Sequence, residues 1–126
     1  MSLETFIRAY IGCAFWSESV GGDDDTSLTN AGYDESDLSP EALKTITEDC
    51  TSFYNDESHA DALALWDDSQ AGHDFWLTRN HHGAGFWDRF YGDDERSIAG
   101  KALTDASHAY GEVSLYIGDD GRIHHA

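Results

Sequence analysis

Apolar residues recur at three- and four-residue spacing from the start of the chain. Leu3, Phe6, Ile7, Tyr10, Ile11, Ala14 and Phe15 fall on one face, which predicts a helix over 2–17 with Ser2 as its cap. Gly21 and Gly22 end the pattern. The stretch around 18–38 then has only Leu28, Tyr33 and Leu38 as apolar anchors and reads as a flexible acidic loop. Ser39-Pro40-Glu41 is a helix start: a cap, a proline at the first helical position and a carboxylate at the positive end of the dipole. Leu43, Ile46, Cys50 and Phe53 carry that helix toward residues 55–57. A further helix over about 58–71 carries Ala62, Leu63 and Trp66, with Gly72 as its stop.

After Gly72 the periodicity changes. Phe75, Trp76, Leu77 and Thr78 are strand formers, as are Phe86, Trp87, Phe90 and Tyr91. The intervening Asn80-His81-His82-Gly83-Ala84-Gly85 reads as a tight turn. The register that sets Arg79 opposite Ala84 pairs Trp76 with Trp87 and Leu77 with Phe86. A helix over about 93–110 follows, with Ile98, Ala102, Leu103, Ala106 and Tyr110 on one side and Gly111 as its stop. Val113, Leu115 and Ile117 alternate with Ser114 and Tyr116, Gly118-Asp119-Asp120-Gly121 turns the chain, and Arg122-Ile123-His124 returns. These elements predict a single α+β domain over 1–126: a small antiparallel sheet built from two hairpins and packed by three or four helices.

Composition changes the picture chiefly through charge. The 126 residues hold 25 Asp and Glu against 7 Lys and Arg, a formal charge of -18. Hydrophobic residues make up 40% and aromatics 13%, enough to bury a core. Such a surface opposes direct contact with nucleic acids or anionic membranes, whose phosphates attract Lys and Arg. No apolar run approaches the ~18–20 residues that span a bilayer, and residues 1–5 show neither a basic stretch nor a cleavage site. The expected location is therefore the cytoplasm. Asp outnumbers Glu 17 to 8, and Lys44 and Lys101 are the only lysines. Two accounts fit: a hydrated surface suited to high salt, or carboxylates that imitate nucleic-acid phosphates toward a basic partner. Within 18–49 the acids Asp23, Asp24, Asp25, Asp34, Glu35, Asp37, Glu41, Glu48 and Asp49 are opposed only by Lys44. They are the candidate partner-binding residues.

Cys13 and Cys50 sit on apolar helix stripes and read as buried small hydrophobes, with a disulfide between the two helices as the alternative. Two thiols without a CxxC or His-rich companion make no zinc site, and no metal or other cofactor is expected. The densest chemistry lies in 73–89. His73, Asp74, Arg79, Asn80 and His82 are candidates for a small catalytic or ligand-binding centre, with His82 as base beside a glycine-rich turn. Their spacing matches no nucleophile elbow, metalloprotease helix, P-loop or calcium loop. The competing structural reading pairs Arg79 and Arg89 with Asp74 and Asp88 across the hairpin, and it outweighs catalysis. His59 and His108 read as solvated, and His124 and His125 as frayed. The four tryptophans read as core.

The block 71–89, together with Phe6-Ile7-Arg8-Ala9-Tyr10, Asp37-Leu38-Ser39-Pro40-Glu41, Tyr110-Gly111 and Leu115-Tyr116-Ile117-Gly118-Asp119-Asp120-Gly121, resembles a family of small acidic proteins of bacteriophages and mobile elements. The resemblance spans most of the chain. It implies a viral context and assigns no residue a role. The Asp-rich loop 21–33 departs from the usual pattern.

These readings lead to a virus-encoded acidic accessory protein in the host cytoplasm. It would bind a basic host protein surface by phosphate imitation and inhibit a nucleic-acid-binding or defence factor. An enzyme or ligand-binding module at 73–89 is the first alternative. A virion structural or assembly role is the other, with a salt-adapted surface and a homo-oligomer formed through the hydrophobic hairpin edge.

Overall fold

A computed structural model describes residues 2–21, 24–81, 85–86 and 94–126. Helix α1 spans Leu3–Ser17, and the Ser2 hydroxyl accepts the Thr5 N–H at its start. Strands β1 (Ser19–Gly21) and β2 (Asp24–Ser27) pair antiparallel where a loop is expected. Leu28, fully buried, anchors the end of that hairpin. A 3-10 turn over Glu35–Asp37 leads into α2 (Pro40–Tyr54), capped by the Ser39 hydroxyl, which accepts the Ala42 N–H at 3.0 Å.

The helix expected over 58–71 is two pieces. A 3-10 turn (Glu57–His59) runs into the short α3 (Ala60–Leu63). Asp67 then caps a new helix, α4 (Asp68–Arg79), its carboxylate accepting the Gln70 N–H at 2.7 Å. The strand expected at 75–78 is therefore the second half of α4. Ala71, Gly72, Asp74, Phe75, Trp76, Thr78 and Arg79 are all buried, so the buried side of α4 mixes charged and apolar residues while its open side includes Leu77, and no clean helical period shows. Of the expected pairing partners, Ala84 and Trp87 lie outside the described residues. Phe86 is a core residue, its N–H held by the Thr78 hydroxyl at 3.0 Å.

Helix α5 spans Asp94–His108, and β3 (Leu115–Ile117) pairs antiparallel with β4 (Ile123–His125), Tyr116 opposite His124. Gly121, at φ +77, takes the left-handed position in their turn. The domain is α+β, with its strands in two separate two-stranded sheets. The Ser39 N–H donates to the Ile123 carbonyl at 2.8 Å, which ties the start of α2 to β4.

The core is aromatic and lies between α1, α2 and α4. Phe53 stacks on Phe75 with ring centroids 4.1 Å apart, and Tyr10 meets Trp76 edge-on at 5.4 Å. Each such buried ring contributes on the order of 1.5–3 kcal/mol by removal from water. Cys13 and Cys50 are buried and form no disulfide. Trp66 and Trp76 are core, whereas Trp16 is 61% exposed, contrary to the expectation for all four tryptophans. Trp87 lies outside the described residues.

Gly72 does not stop a helix. It marks the crossing of α1 and α4: a Cβ built there falls 2.1 Å from the Phe6 carbonyl oxygen and 2.9 Å from its carbon. Backbone cannot yield as a side chain does. Gly72→Ala is expected to lower unfolding free energy by about 1–3 kcal/mol in urea titration, despite alanine's better helix propensity. A stabilised variant would mean that the two helices do not meet at this glycine.

Candidate functional site

The residues proposed for catalysis are brought together only in part, and the fold engages Asp74, Arg79 and Asn80, while His73 is partly exposed. Arg79 is 1% exposed. Its Nε donates to the Gly111 carbonyl at 2.9 Å and its Nη2 to the Tyr110 carbonyl at 3.0 Å. Its Nη1 donates to the Tyr10 hydroxyl at 3.1 Å and to Asp49 Oδ2 at 3.0 Å. The guanidinium also lies over the Phe75 and Tyr110 rings, 5.5 and 5.7 Å from their centroids. The expected Arg79–Asp74 pair does not form; α4 carries both residues, and Arg79 reaches across to α2 instead. Asp88 and Arg89 lie outside the described residues.

Asp74 is fully buried and accepts from Trp66 Nε1 at 3.2 Å and Gln70 Nε2 at 2.9 Å, with His73 Nδ1 at 3.3 Å. Asn80 donates to the Trp76 carbonyl at 3.0 Å and accepts the Val113 N–H at 2.8 Å. His82 lies outside the described residues. Asp74, Arg79 and Asn80 thus fasten α4 to its neighbours, and the described part of 73–89 presents no converging set of reactive groups.

Three histidines, His59, His124 and His125, depart from expectation, His124 being a β4 residue stacked on Tyr116. His59 is 5% exposed, not solvated: its ring packs 4.5 Å from Phe53 and its Nε2 donates to the Phe53 carbonyl at 2.7 Å. His125 is a strand residue, not a frayed end. Its Nε2 lies 3.0 Å from the Tyr10 hydroxyl, whose oxygen already accepts from Arg79 and whose proton is therefore free for the ring. Burial, reinforced by the nearby Arg79 charge, pushes the His125 pKa down to about 4. His124 pairs with Asp120 at 3.1 Å. His108 is exposed and stacks on His81, ring centroids 4.2 Å apart.

The nine acids divide by role. Asp49 belongs to the interior, as the counter-charge of Arg79. Asp34 caps the 3-10 turn: the Ser36 hydroxyl and N–H both donate to it and hold its carboxyl below the usual range. Asp37 accepts the Asp34 N–H at 2.9 Å. Glu48 lies 3.9 Å from Lys44. Asp25, Glu35 and Glu41 are exposed. Asp24 lies in β2, its side chain undescribed, and Asp23 lies outside the described residues. Exposed carboxylates are not confined to 18–49: Glu57, Asp61, Asp67, Glu95, Asp105 and Asp119 extend them over α3, α4, α5 and the last hairpin.

A groove of about 300 Å³ that sequence reading missed lies between α1 and the 28–35 segment. The Thr29 N–H donates to the Phe15 carbonyl at 3.2 Å and holds the segment against the helix. Ile11, Gly12, Phe15 and Tyr33 form an apolar floor, with Asp34, Glu35 and Arg8 at the rim, Arg8 being paired with Glu4 at 2.8 Å. A Cβ at Gly12 would meet nothing within 4 Å, and Trp16 lies one turn further along α1. The available signal was Gly12 itself, an unfavoured residue inside a strong helical pattern.

Comparisons with protein-family models, curated proteins and solved structures returned no match to this chain. Among the described residues no helix is long and apolar enough to cross a membrane.

His125 supplies a test of the interior. Its folded pKa lies below the ordinary 6.5, so its stabilising contribution is complete above pH 6.5 and is lost as pH falls toward 4. Relative to His125→Phe, the parent chain is expected to lose about 2–3 kcal/mol of stability between pH 7 and pH 4 in parallel denaturant titrations, allowing for partial solvation. Identical pH profiles would place His125 outside the buried network.

Proposed function

We propose that this chain is a binding protein whose α1/28–35 groove receives an apolar side chain from a basic protein segment. The groove carries this reading: an apolar floor, a rim where Asp34 and Glu35 outnumber Arg8, whose charge Glu4 already pairs, and a largely exposed tryptophan nearby. The net charge of -18 adds long-range attraction for a basic partner and speeds encounter. In the viral setting suggested by the resemblance at 71–89, that partner is a host protein that handles nucleic acid, and occupation of its basic surface inhibits it. The catalytic alternative loses support because Asp74, Arg79 and Asn80 are engaged in holding helices. Self-association through a strand edge loses support because 75–78 is a buried helix.

A second reading is favoured by one observation. Exposed carboxylates occur on α1, α2 and α5, at the cap of α4 and at the last turn, as a salt-adapted coat requires, rather than within 18–49 alone. Charge in this reading serves hydration, and a duplex-like row of carboxylates is not what the partner meets.

The test is fluorescence anisotropy with a labelled peptide in which leucines are flanked by lysines. Gly12→Gln, which fills the open position, is expected to weaken binding about tenfold, with Asp34→Asn and Glu35→Gln adding a loss that shrinks as salt rises. Equal affinity for all variants would remove the groove from the account and leave the salt-adapted coat.

A further inference from the structure

We infer that the chain has a second docking groove, between α3 and α5, that takes an apolar side chain from a lysine- or arginine-bearing protein segment. This goes beyond the first groove and involves different residues. The cleft is about 310 Å³ and is floored by Ala62, Leu65, Ile98, Ala99 and Ala102. Ile98 is 72% exposed, on a helix whose Ala99 and Leu103 are already buried in the core. Most of its apolar surface is therefore not used in packing against the described residues. An isoleucine flanked by small alanines leaves room for an incoming aliphatic side chain and gives it dispersion contact.

The rim specifies the sign of the partner. Glu57, Asp61 and Glu95 line the cleft, and none of its described lining residues is Lys or Arg. His59 lines it as well and adds an independent indication. Its Nε2 donates to the Phe53 carbonyl, which can only accept, so in the neutral ring Nδ1 is an acceptor. That buried Nδ1 has no hydrogen-bond partner, and its charged neighbour is the Asp56 carboxylate at 3.9 Å, another acceptor. Asp56 is kept ionised by hydrogen bonds from the Ser58 hydroxyl and N–H. Next to His59 the described charged lining of the cleft is acidic, and an ammonium or guanidinium group complements it. A second copy of this chain is a poor occupant: it would bring a further charge of -18 toward the same acidic rim.

The probe is a peptide with two leucines between lysines, titrated into the 15N-labelled full chain carrying Gly12→Gln, so that failure of the first groove does not decide the result. Shifts are expected at Ala62, Leu65, Ile98 and Ala102 and at the His59 ring nitrogens. Ile98→Ser is expected to weaken binding at this site at least tenfold, and Ala102→Gln to do the same by occupying the cleft; both positions are exposed. Replacing the peptide leucines by serine, or its lysines by glutamate, is expected to abolish the footprint. The inference is overturned if the serine peptide gives the same footprint, if neither substitution changes affinity, or if the same resonances shift with protein concentration alone, which would make a second copy the occupant.

Discussion

A guanidinium removed from water must be matched at nearly every donor, and Arg79 is matched by groups from across the chain. Its partners are a tyrosine on α1, a carboxylate on α2 and two carbonyls just beyond α5. None of these segments can shift without leaving a buried charge short of a partner, which typically costs about 3–5 kcal/mol. Tyr10 extends the constraint, since its hydroxyl faces His125 on β4. One side chain thus sets α1, α2, α4, the segment after α5 and the C-terminal hairpin relative to one another. The close crossing at Gly72 belongs to the same arrangement, because it brings α4 near enough to α1 for Arg79 to reach Tyr10.

This interior explains how much of the fold could be read in advance. Helices α1 and α2 and the last hairpin have one buried and one wet face, so their periods survive in the residue pattern, and Ser2, Ser39-Pro40 and Gly121 mark their ends; α5 forms as expected, but it buries Ala99, Leu103 and Ser107 and leaves Ile98 and Ala102 of the expected face exposed. Helix α4 is buried on most sides and mixes aromatic rings, a threonine, a buried acid and an arginine. Locally, Phe75-Trp76-Leu77-Thr78 favours a strand, and only the tertiary setting makes it helical. The cap at Asp67 was the available signal, obscured by reading the preceding segment as one helix. The 19–27 hairpin escaped notice because neither strand alternates apolar and polar residues; Ser, Gly and Asp dominate it.

The candidate site followed the same logic. The cluster in 73–89 looked like chemistry because polar and charged groups crowd an apolar segment. Much of that crowding is the polar wiring of a small core: Asp74 and Arg79 are spent on neighbouring helices, and Asp49, counted among the surface acids, is spent on Arg79. What remains for function is the surface, where a field of one sign surrounds two apolar grooves. In the proposed binding role, charge attracts a basic partner and the grooves select a segment by shape. Composition revealed the field but not the grooves, because Ile11, Phe15 and Tyr33 come from segments far apart in sequence.

The central claim is that Arg79 and Asp49 act as a coupled pair holding the helices in place. A double-mutant cycle of Arg79→Met and Asp49→Asn, read by urea unfolding, measures this directly. The pair is expected to be coupled by at least about 1.5 kcal/mol, the double variant being more stable than the sum of the single losses allows. Additivity within about 0.5 kcal/mol would show that the two side chains do not depend on each other, and the account of the fold would fall with them.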